Sequence, residues 1–303
     1  MGAGHGHGHG VTSGAGKHRW RLAVAFGLVA AFFVVELSVG IVSGSLALIS
    51  DAGHMAADVV ALGAALLATK IAARPDTTGR RSYGSYRAEI FASGLTVLLM
   101  LGVSAYVVIE AVSRIGEDVE VQTGPVLVVG FIGLAINVVS ILLLRSGAKE
   151  SLNIKGAYFE VVADAAGSVG VMIAALLIIV TGDTYWDTLV ALAIGLFVAV
   201  RAVTLGRQVL AVLGQHIPEG LDIDAVATEL AGVPGVGDVH DLHAWSLTSG
   251  MNVATAHLVL SPGADSQSVL LEAQRLLRSD HGIEHATLQV EDEPTKHCEE
   301  VTW

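Results

Sequence analysis

Six long apolar segments constrain the fold of this chain more than any other feature. They lie at roughly residues 21–43, 46–72, 88–114, 124–145, 155–181 and 186–206. A helix that crosses a bilayer needs about 20 apolar residues, because each residue advances it by about 1.5 Å. Each segment reaches that length, and 52% of the 303 residues are hydrophobic, with a mean hydropathy of +0.63. The sequence therefore predicts an α-helical membrane protein with six transmembrane helices.

The basic residues predict the orientation of these segments, because cytoplasmic loops of membrane proteins are enriched in Lys and Arg. Four groups flank alternate connections: Lys17, Arg19 and Arg21; Lys70, Arg74, Arg80, Arg81 and Arg87; Arg145, Lys149 and Lys155; and Arg201 and Arg207. The opposite connections contain only Arg114, beside several acidic residues. We therefore expect a multi-pass protein with both termini in the cytoplasm, in a bacterial inner (plasma) membrane and without a cleavable signal.

Composition divides the chain into three parts. Residues 1–20 include alternating Gly and His, and we expect a cytoplasmic tail that either gathers metal or is a purification artefact. Residues 21–210 contain the six apolar segments and form the predicted transmembrane domain. Residues 211–303 have the composition of a soluble protein, and we expect a cytoplasmic domain there.

The predicted cytoplasmic domain alternates between helical and strand periodicities. Apolar spacings of three and four predict helices at 221–231 and 265–280. Alternating or continuous apolar runs predict strands at 236–247, 253–260 and 285–290, of which the first two form a hairpin. The order α-β-β-α-β predicts a small two-layer α+β domain with both helices on one face of a three-stranded sheet.

Two pairs of ionisable residues interrupt the second and fifth apolar segments. His54 and Asp58 form one pair, and Glu160 and Asp164 form the other. Each pair has i, i+4 spacing, so its two side chains share one face of a helix. Ionisable groups inside a bilayer cost about 2.5–3.5 kcal/mol each on insertion scales and usually face a pathway or a partner. One imidazole and three carboxylates from two helices would form a four-ligand site for a divalent cation.

Neighbouring residues support the pairing of these two helices. Asp51 lies one turn before His54 on the same face, and we expect it to support the ligands or handle protons. Small residues follow Asp164, at 165–168 and at Gly170. They allow the close helix approach that ligand distances near ~2 Å require.

Several motifs occur in order along the chain: Ser45-Leu-Ala-Leu48, the His54/Asp58 pair, Tyr83-Gly-x-x-Arg87-x-Glu89, Asp164-Ala-Ala-Gly-Ser-Val-Gly170, Asp187 and Pro218-Glu219-Gly220. Over nearly the whole chain, this series resembles the cation diffusion facilitator family of divalent-metal/proton antiporters. The resemblance implies six spans, a homodimer, a ferredoxin-like C-terminal domain and efflux of Zn²⁺ from the cytoplasm. One difference is Glu160, where zinc-type members usually have a second histidine. The formal ligand charge becomes −3, so Co²⁺, Cd²⁺, Fe²⁺ and Mn²⁺ compete with Zn²⁺ as candidates.

The C-terminal domain contains a second set of candidate ligands. The resemblance matches His240, His257 and Glu291 to a metal site in the family's cytoplasmic domain, at the dimer interface. His243 lies three residues after His240 on a predicted strand, so the two should point to opposite faces and not share one ion. Cys298 lies in a tail that we expect to be solvated.

These features predict proton-coupled export of divalent cations from the cytoplasm, with Zn²⁺ as the expected substrate and an exporter mainly of Co²⁺, Cd²⁺, Fe²⁺ or Mn²⁺ as the alternative. The expected partners are metal ions, protons, the bilayer and a second copy of the chain. No catalytic cofactor is expected. A metal channel or importer with the same ligands remains an alternative. An intramembrane metallohydrolase is disfavoured because the chain has no His-Glu-x-x-His motif, and we expect no enzyme activity. A net charge of −12 argues against nucleic acid as a partner.

Overall fold

The computed structural model describes the backbone at residues 15–72, 83, 87–117, 119–145, 152–248 and 250–292. Side chains are described at 27–57, 59–60, 83, 87–117, 119–145, 158–248 and 250–292. The chain forms two compact units. One contains residues up to 63 together with 95–203, and the other contains 64–94 together with the residues from 204 onward.

A helix lies at each of the six predicted apolar segments. Their bounds are α1 Ala15–Ser43, α2 Leu46–Ala72, α3 Ala88–Ser113, α4 Thr123–Leu144, α5 Leu152–Thr181 and α6 Tyr185–Leu213. Five helices end within about two residues of the prediction, but α6 continues beyond residue 206 to Leu213. The apolar window ends where polar residues begin, whereas polar residues such as Arg207 and Gln208 continue a helix without difficulty.

Four helices of the described part are long and apolar enough to cross a membrane: Ala88–Ser113, Thr123–Leu144, Tyr158–Thr181 and Tyr185–Leu213. The part of α1 with described side chains, Gly27–Ser43, is a shorter apolar helix. In α2, described side chains extend only to Val60. The structure therefore shows a helical membrane domain.

The core of the first unit receives side chains from all six helices. Glycines let some helices approach closely: a Cβ at Gly133 of α4 would lie 2.7 Å from the Phe32 ring of α1. Helix α4 packs against both α1 and α5. The buried residues that form this core include Phe32, Leu48, Val107, Val129, Val171 and Ala191.

The second unit contains the predicted α+β arrangement. It comprises α7 Ile223–Ala231, β1 Val236–Thr248, β2 Met251–Leu260, α8 Ser266–Ser279 and β3 His285–Glu291. Strand β2 is central, antiparallel to β1 and parallel to β3, so the sheet is mixed. The predicted element order and the hairpin are confirmed.

An aspartate caps the N-terminus of each helix in this domain. The Asp222 carboxylate accepts hydrogen bonds from the backbone N–H groups of Asp224 and Ala225, and Asp265 accepts one from Ser268 N at 2.9 Å. The hydroxyl of Ser268, which donates at 2.6 Å, and then its backbone N–H lower the pKa of the Asp265 carboxyl below its ordinary value.

The two faces of the sheet have different roles. Ala254 and Leu258 of β2 belong to the buried core formed with α7 and α8. Side chains alternate along a strand, so His257 lies on the opposite face, away from the helices. That face is where the candidate ligands of this domain lie.

Candidate metal centres

The first candidate centre forms where α2 and α5 meet. His54 of α2 and Asp164 of α5 are both buried, and His54 Nε2 lies 3.3 Å from Asp164 Oδ1. These residues are 110 positions apart in the sequence, so only the packing of the two helices joins them. Two of the four predicted ligands are thus in direct contact.

The third predicted ligand, Glu160, is connected to this pair by the side chain of Arg201. Glu160 lies one turn before Asp164, and its Oε2 is 2.6 Å from Arg201 Nη2 of α6. The second terminal nitrogen of the same guanidinium, Nη1, is 2.9 Å from His54 Nε2. From the sequence, Arg201 contributed only to the predicted orientation, and nothing in its apolar surroundings indicated that it would contact the ligands.

Two further carboxyl groups are buried beside this centre. Asp51 of α2 is 2% exposed, and a Cβ at Gly167 of α5 would overlap its carboxylate. Glu36 of α1 is 1% exposed and interacts electrostatically with Asp51 and Asp164. Sequence reasoning identified Asp51 but missed Glu36. An isolated glutamate in the first apolar segment was a usable signal, since a bilayer disfavours such a residue.

An aspartate from α6 positions the start of α2. The backbone N–H of Leu46 donates to Asp187 Oδ2 at 2.6 Å, and the Ser45 hydroxyl donates to Asp187 Oδ1 at 2.5 Å. A carboxylate at a helix N-terminus is stabilised by unpaired N–H groups and by the helix dipole. This contact fixes the end of the helix that carries His54.

The second candidate centre lies on the helix-free face of the sheet. His257 Nδ1 is 3.0 Å from Glu291 Oε1, and His240 Nε2 is 3.8 Å from Glu291 Oε2. One ligand atom from each of the three residues lies within 4.8 Å of the others, a spacing that could hold a metal ion after small side-chain movements. Gln289 donates to Glu291 Oε1 at 2.7 Å and so orients the carboxylate. The structure brings together all three predicted residues.

The prediction that His240 and His243 point to opposite faces of the sheet is wrong, because β1 contains a β-bulge between them. His240 pairs with His257, whereas His243 pairs with Thr255, so three residues of β1 oppose two of β2. The bulge contains Asp241 with a φ of +53°, a conformation that non-glycine residues adopt uncommonly. Both cross-strand partners lie on one face of β2, so His240 and His243 also share a face. His243 Nε2 contacts Asp241 Oδ1 at 3.0 Å.

Some predicted residues lie outside the part of the chain that is described. The backbone of Asp58 is helical, but its side chain is outside that part. Residues 1–14 of the N-terminal tail and Cys298 lie wholly outside the described residues. The fourth ligand of the first centre therefore stays a prediction.

Comparison with known proteins identifies the class of these two units. The described helices and sheet define an integral membrane protein with an appended α+β domain. The family description "cation efflux transmembrane domain" matches residues 22–213, and "cation efflux protein, cytoplasmic domain" matches residues 218–293. This chain belongs to the cation efflux family, which confirms the resemblance seen in its motifs.

Several relatives are similar over nearly their whole length. The metal cation efflux system protein CzcD of Cupriavidus metallidurans is 40% identical over 99% of this chain and 93% of its own. A cadmium, cobalt and zinc/H(+)-K(+) antiporter of Bacillus subtilis is 33% identical over 93% of this chain and 92% of its own. The zinc transporter ZitB of Escherichia coli is 36% identical over 90% of this chain and 88% of its own.

A solved structure also matches part of the chain. It is the metal-bound C-terminal domain of the CzcD transporter from C. metallidurans, which is 36% identical. The match covers 23% of this chain and 99% of that domain, with a TM-score of 0.23.

Proposed function

We propose that this protein exports divalent metal cations from the cytoplasm in exchange for protons, with Zn²⁺ as its principal substrate. The observation that carries the proposal is the contact between His54 and Asp164, two buried ionisable residues on different helices of the membrane domain. One relative is named for metal cation efflux, one as a zinc transporter and one as a cadmium, cobalt and zinc/H(+)-K(+) antiporter. Their names agree with the chemistry of this site.

The proposed transport site consists of His54, Asp58, Glu160 and Asp164. These groups ligate metal only when deprotonated, so protons compete with the metal for the same atoms. A proton supply on the outer side therefore promotes metal release. His54 and Glu160 are the proposed proton carriers.

The metal preference follows from the types of the ligand atoms. One imidazole nitrogen and three carboxylates suit Zn²⁺ but form a harder site than two imidazoles would. The third carboxylate is Glu160. Co²⁺, Cd²⁺, Fe²⁺ and Mn²⁺ are therefore secondary candidate substrates of the same site.

The architecture that we propose includes features beyond the four apolar helices. Helices α1 and α2 also cross the bilayer, which gives six spans with both termini in the cytoplasm of a bacterial plasma membrane. The C-terminal domain is ferredoxin-like and dimerises, so the functional unit is a homodimer. Each copy contains a transmembrane domain, residues 21–210, and a cytoplasmic domain, residues 211–303. Its second metal site consists of His240, His257 and Glu291, which offer three ligands and leave a fourth position open.

Reconstituted transport tests the proposal. Proteoliposomes with purified protein should take up Zn²⁺ when a pH gradient is imposed, and the rate should fall when the gradient is collapsed. Asp164→Ala should abolish uptake while the protein still inserts, because it removes a charged ligand. Glu117→Ala, at an exposed carboxylate after α3, serves as the control. A rate of Zn²⁺ uptake that does not depend on the pH gradient would indicate a channel or importer. Full activity of Asp164→Ala would exclude the proposed site.

A further inference from the structure

Arg201 lies across the proposed transport site. Its Nη1 is 2.9 Å from His54 Nε2, and its Nη2 is 2.6 Å from Glu160 Oε2. The guanidinium therefore links the histidine of α2 to the carboxylate of α5 from a third helix, α6. The same His54 Nε2 also lies 3.3 Å from Asp164 Oδ1, so Arg201 contacts the centre of the ligand cluster.

The chemistry of the guanidinium restricts what His54 can do. Arginine stays protonated in proteins and has only hydrogen-bond donors. Because arginine has only donors, a hydrogen bond over the 2.9 Å between Arg201 Nη1 and His54 Nε2 requires the lone pair of Nε2 as its acceptor. A metal ion ligated by Nε2 would use the same lone pair.

Metal and guanidinium cannot occupy this position together. A zinc ion bound to a histidine nitrogen lies about 2.0–2.1 Å from it along the lone pair. Arg201 Nη1 is within hydrogen-bond distance of the same nitrogen, at 2.9 Å, so an ion on that lone pair would lie too close to the guanidinium. We propose that Arg201 is a tethered cation that holds the transport site when metal is not bound, and that incoming metal displaces it. This inference rests on the ligand set of the proposed function.

The negative charge of the metal-free site explains what Arg201 contributes there. Three carboxylates and a neutral imidazole have a formal charge of −3, which is costly to hold inside a bilayer. The guanidinium supplies one positive charge that protons would otherwise supply. Arg201 therefore stabilises the carrier without metal and weakens metal binding by competition.

The surroundings of Arg201 allow it to leave the site. Its side chain is 27% exposed and that of Glu160 is 44% exposed, whereas His54 is 3% exposed. The guanidinium lies on the more exposed side of the cluster, where it contacts Glu160, and is 5.9 Å from the centre of the Phe197 ring. A long, flexible side chain can turn away from this side without a shift of α6.

The test compares the full-length wild type with Arg201→Gln and Arg201→Lys in proteoliposomes at one pH. Arg207→Gln is the matched control, because Arg207 is an exposed arginine of the same helix. The initial rate of uptake is measured against Zn²⁺ concentration, which separates KM from the maximal rate. If the guanidinium holds the site about 90% of the time, its removal tightens apparent metal affinity about tenfold.

For Arg201→Gln we expect a KM about tenfold lower, together with a lower maximal rate, because the site releases metal less readily. Arg201→Lys should lie between this variant and the wild type, since an ammonium keeps the charge but cannot contact both partners as a fork. Arg207→Gln should match the wild type. A purely structural role for Arg201 would not lower KM, so an unchanged or raised KM in Arg201→Gln overturns the inference. If that variant does not fold, an unchanged KM in Arg201→Lys has the same meaning.

Direct binding separates this inference from the proposed function. If the wild type transports no Zn²⁺, the proposed function is wrong, and calorimetric zinc titrations of the same proteins still test the competition. Only the binding that Asp164→Ala removes is compared. Tighter binding in Arg201→Gln supports competition by the guanidinium, and equal or weaker binding overturns it.

Discussion

The Asp187 carboxylate at the start of α6 caps the first turn of α2, where Leu46 N donates to its Oδ2 at 2.6 Å. Arg114, the residue directly after α3, reinforces the contact, because its Nη1 is 3.6 Å from Asp187 Oδ2 and donates to Gly44 O at 2.9 Å. Three helices of the membrane domain are therefore joined at one end. Helix α2 carries His54 eight residues further on, so this joint fixes the position of the histidine relative to α6.

Replacement of Asp187 by Asn should destabilise the membrane domain. The amide oxygen can still accept a hydrogen bond, but the NH₂ group cannot accept from Leu46 N or Ser45 Oγ, and the charge is lost. A buried hydrogen bond to a charged group contributes roughly 1.5–3 kcal/mol. Thermal unfolding in detergent should therefore show a lower Tm for Asp187→Asn. Glu117→Gln, at an exposed carboxylate, should leave Tm unchanged, and equal Tm values for all three proteins would contradict the role of the cap.

Gly167→Ala should disturb the packing of α2 against α5. The added methyl group would overlap the Asp51 carboxylate, which is 2% exposed and has little space to move. Overpacking of this kind costs typically ~1–3 kcal/mol, and it would also separate His54 from Asp164. We expect a lower Tm and slower Zn²⁺ uptake.

Gly102→Ala is the matched control for this substitution. A Cβ at Gly102 of α3 meets nothing within 4 Å, and alanine in a helix is more favourable than glycine by roughly 0.5–1 kcal/mol. Its Tm should stay the same or rise. If Gly167→Ala behaves like Gly102→Ala, the close contact with Asp51 has no energetic importance.

The apolar segments and the i, i+4 pairs were sufficient to predict the helices and the contact between His54 and Asp164. Periodicity is a local property, and a bilayer imposes it on each helix separately. The position of Arg201 depends on how α6 rotates against α2 and α5, which no local pattern records. Its charge was therefore interpreted only as a marker of orientation.

The bulge at Asp241 shows the same limitation in the soluble domain. Strict alternation along β1 places His240 and His243 on opposite faces, and one extra residue reverses that result. Nothing in the letters His-Asp-Leu-His distinguishes a bulged strand from a regular one. The cluster of His240, His257 and Glu291 was predicted through the family resemblance, because its residues lie on three different strands.

His257→Ala should remove zinc binding at the cytoplasmic domain without affecting the transport site. His257 contacts Glu291 at 3.0 Å, and its ring centroid is 5.1 Å from that of His240, so it is the central member of the cluster. Loss of residues that merely support a ligand typically costs ~10–100-fold in metal affinity, and loss of a ligand should cost more. Calorimetry on the full-length protein should show one class of sites missing.

The control for this variant is His216→Ala, which removes an exposed histidine outside the cluster. Its zinc titration should match that of the wild type. Identical titrations of His257→Ala and the wild type would exclude the cytoplasmic site, whereas the transport site would be unaffected by that result.

Glu160→His should shift selectivity toward Zn²⁺. An imidazole in place of a carboxylate makes the site softer and reduces its formal charge from −3 to −2, which favours Zn²⁺ over the harder Mn²⁺. The quantity to measure is the ratio of Zn²⁺ to Mn²⁺ uptake in proteoliposomes at one pH. We expect this ratio to rise in the variant.

Glu160→Gln separates ligand softness from the loss of the ion pair between Glu160 and Arg201. Both substitutions remove that ion pair and one negative charge, but only histidine supplies a nitrogen ligand. Uptake of both metals should fall in Glu160→Gln, with a smaller change in their ratio than in Glu160→His. If the ratio in Glu160→His stays the same or falls, Glu160 acts through protons or through Arg201, and other residues set the selectivity.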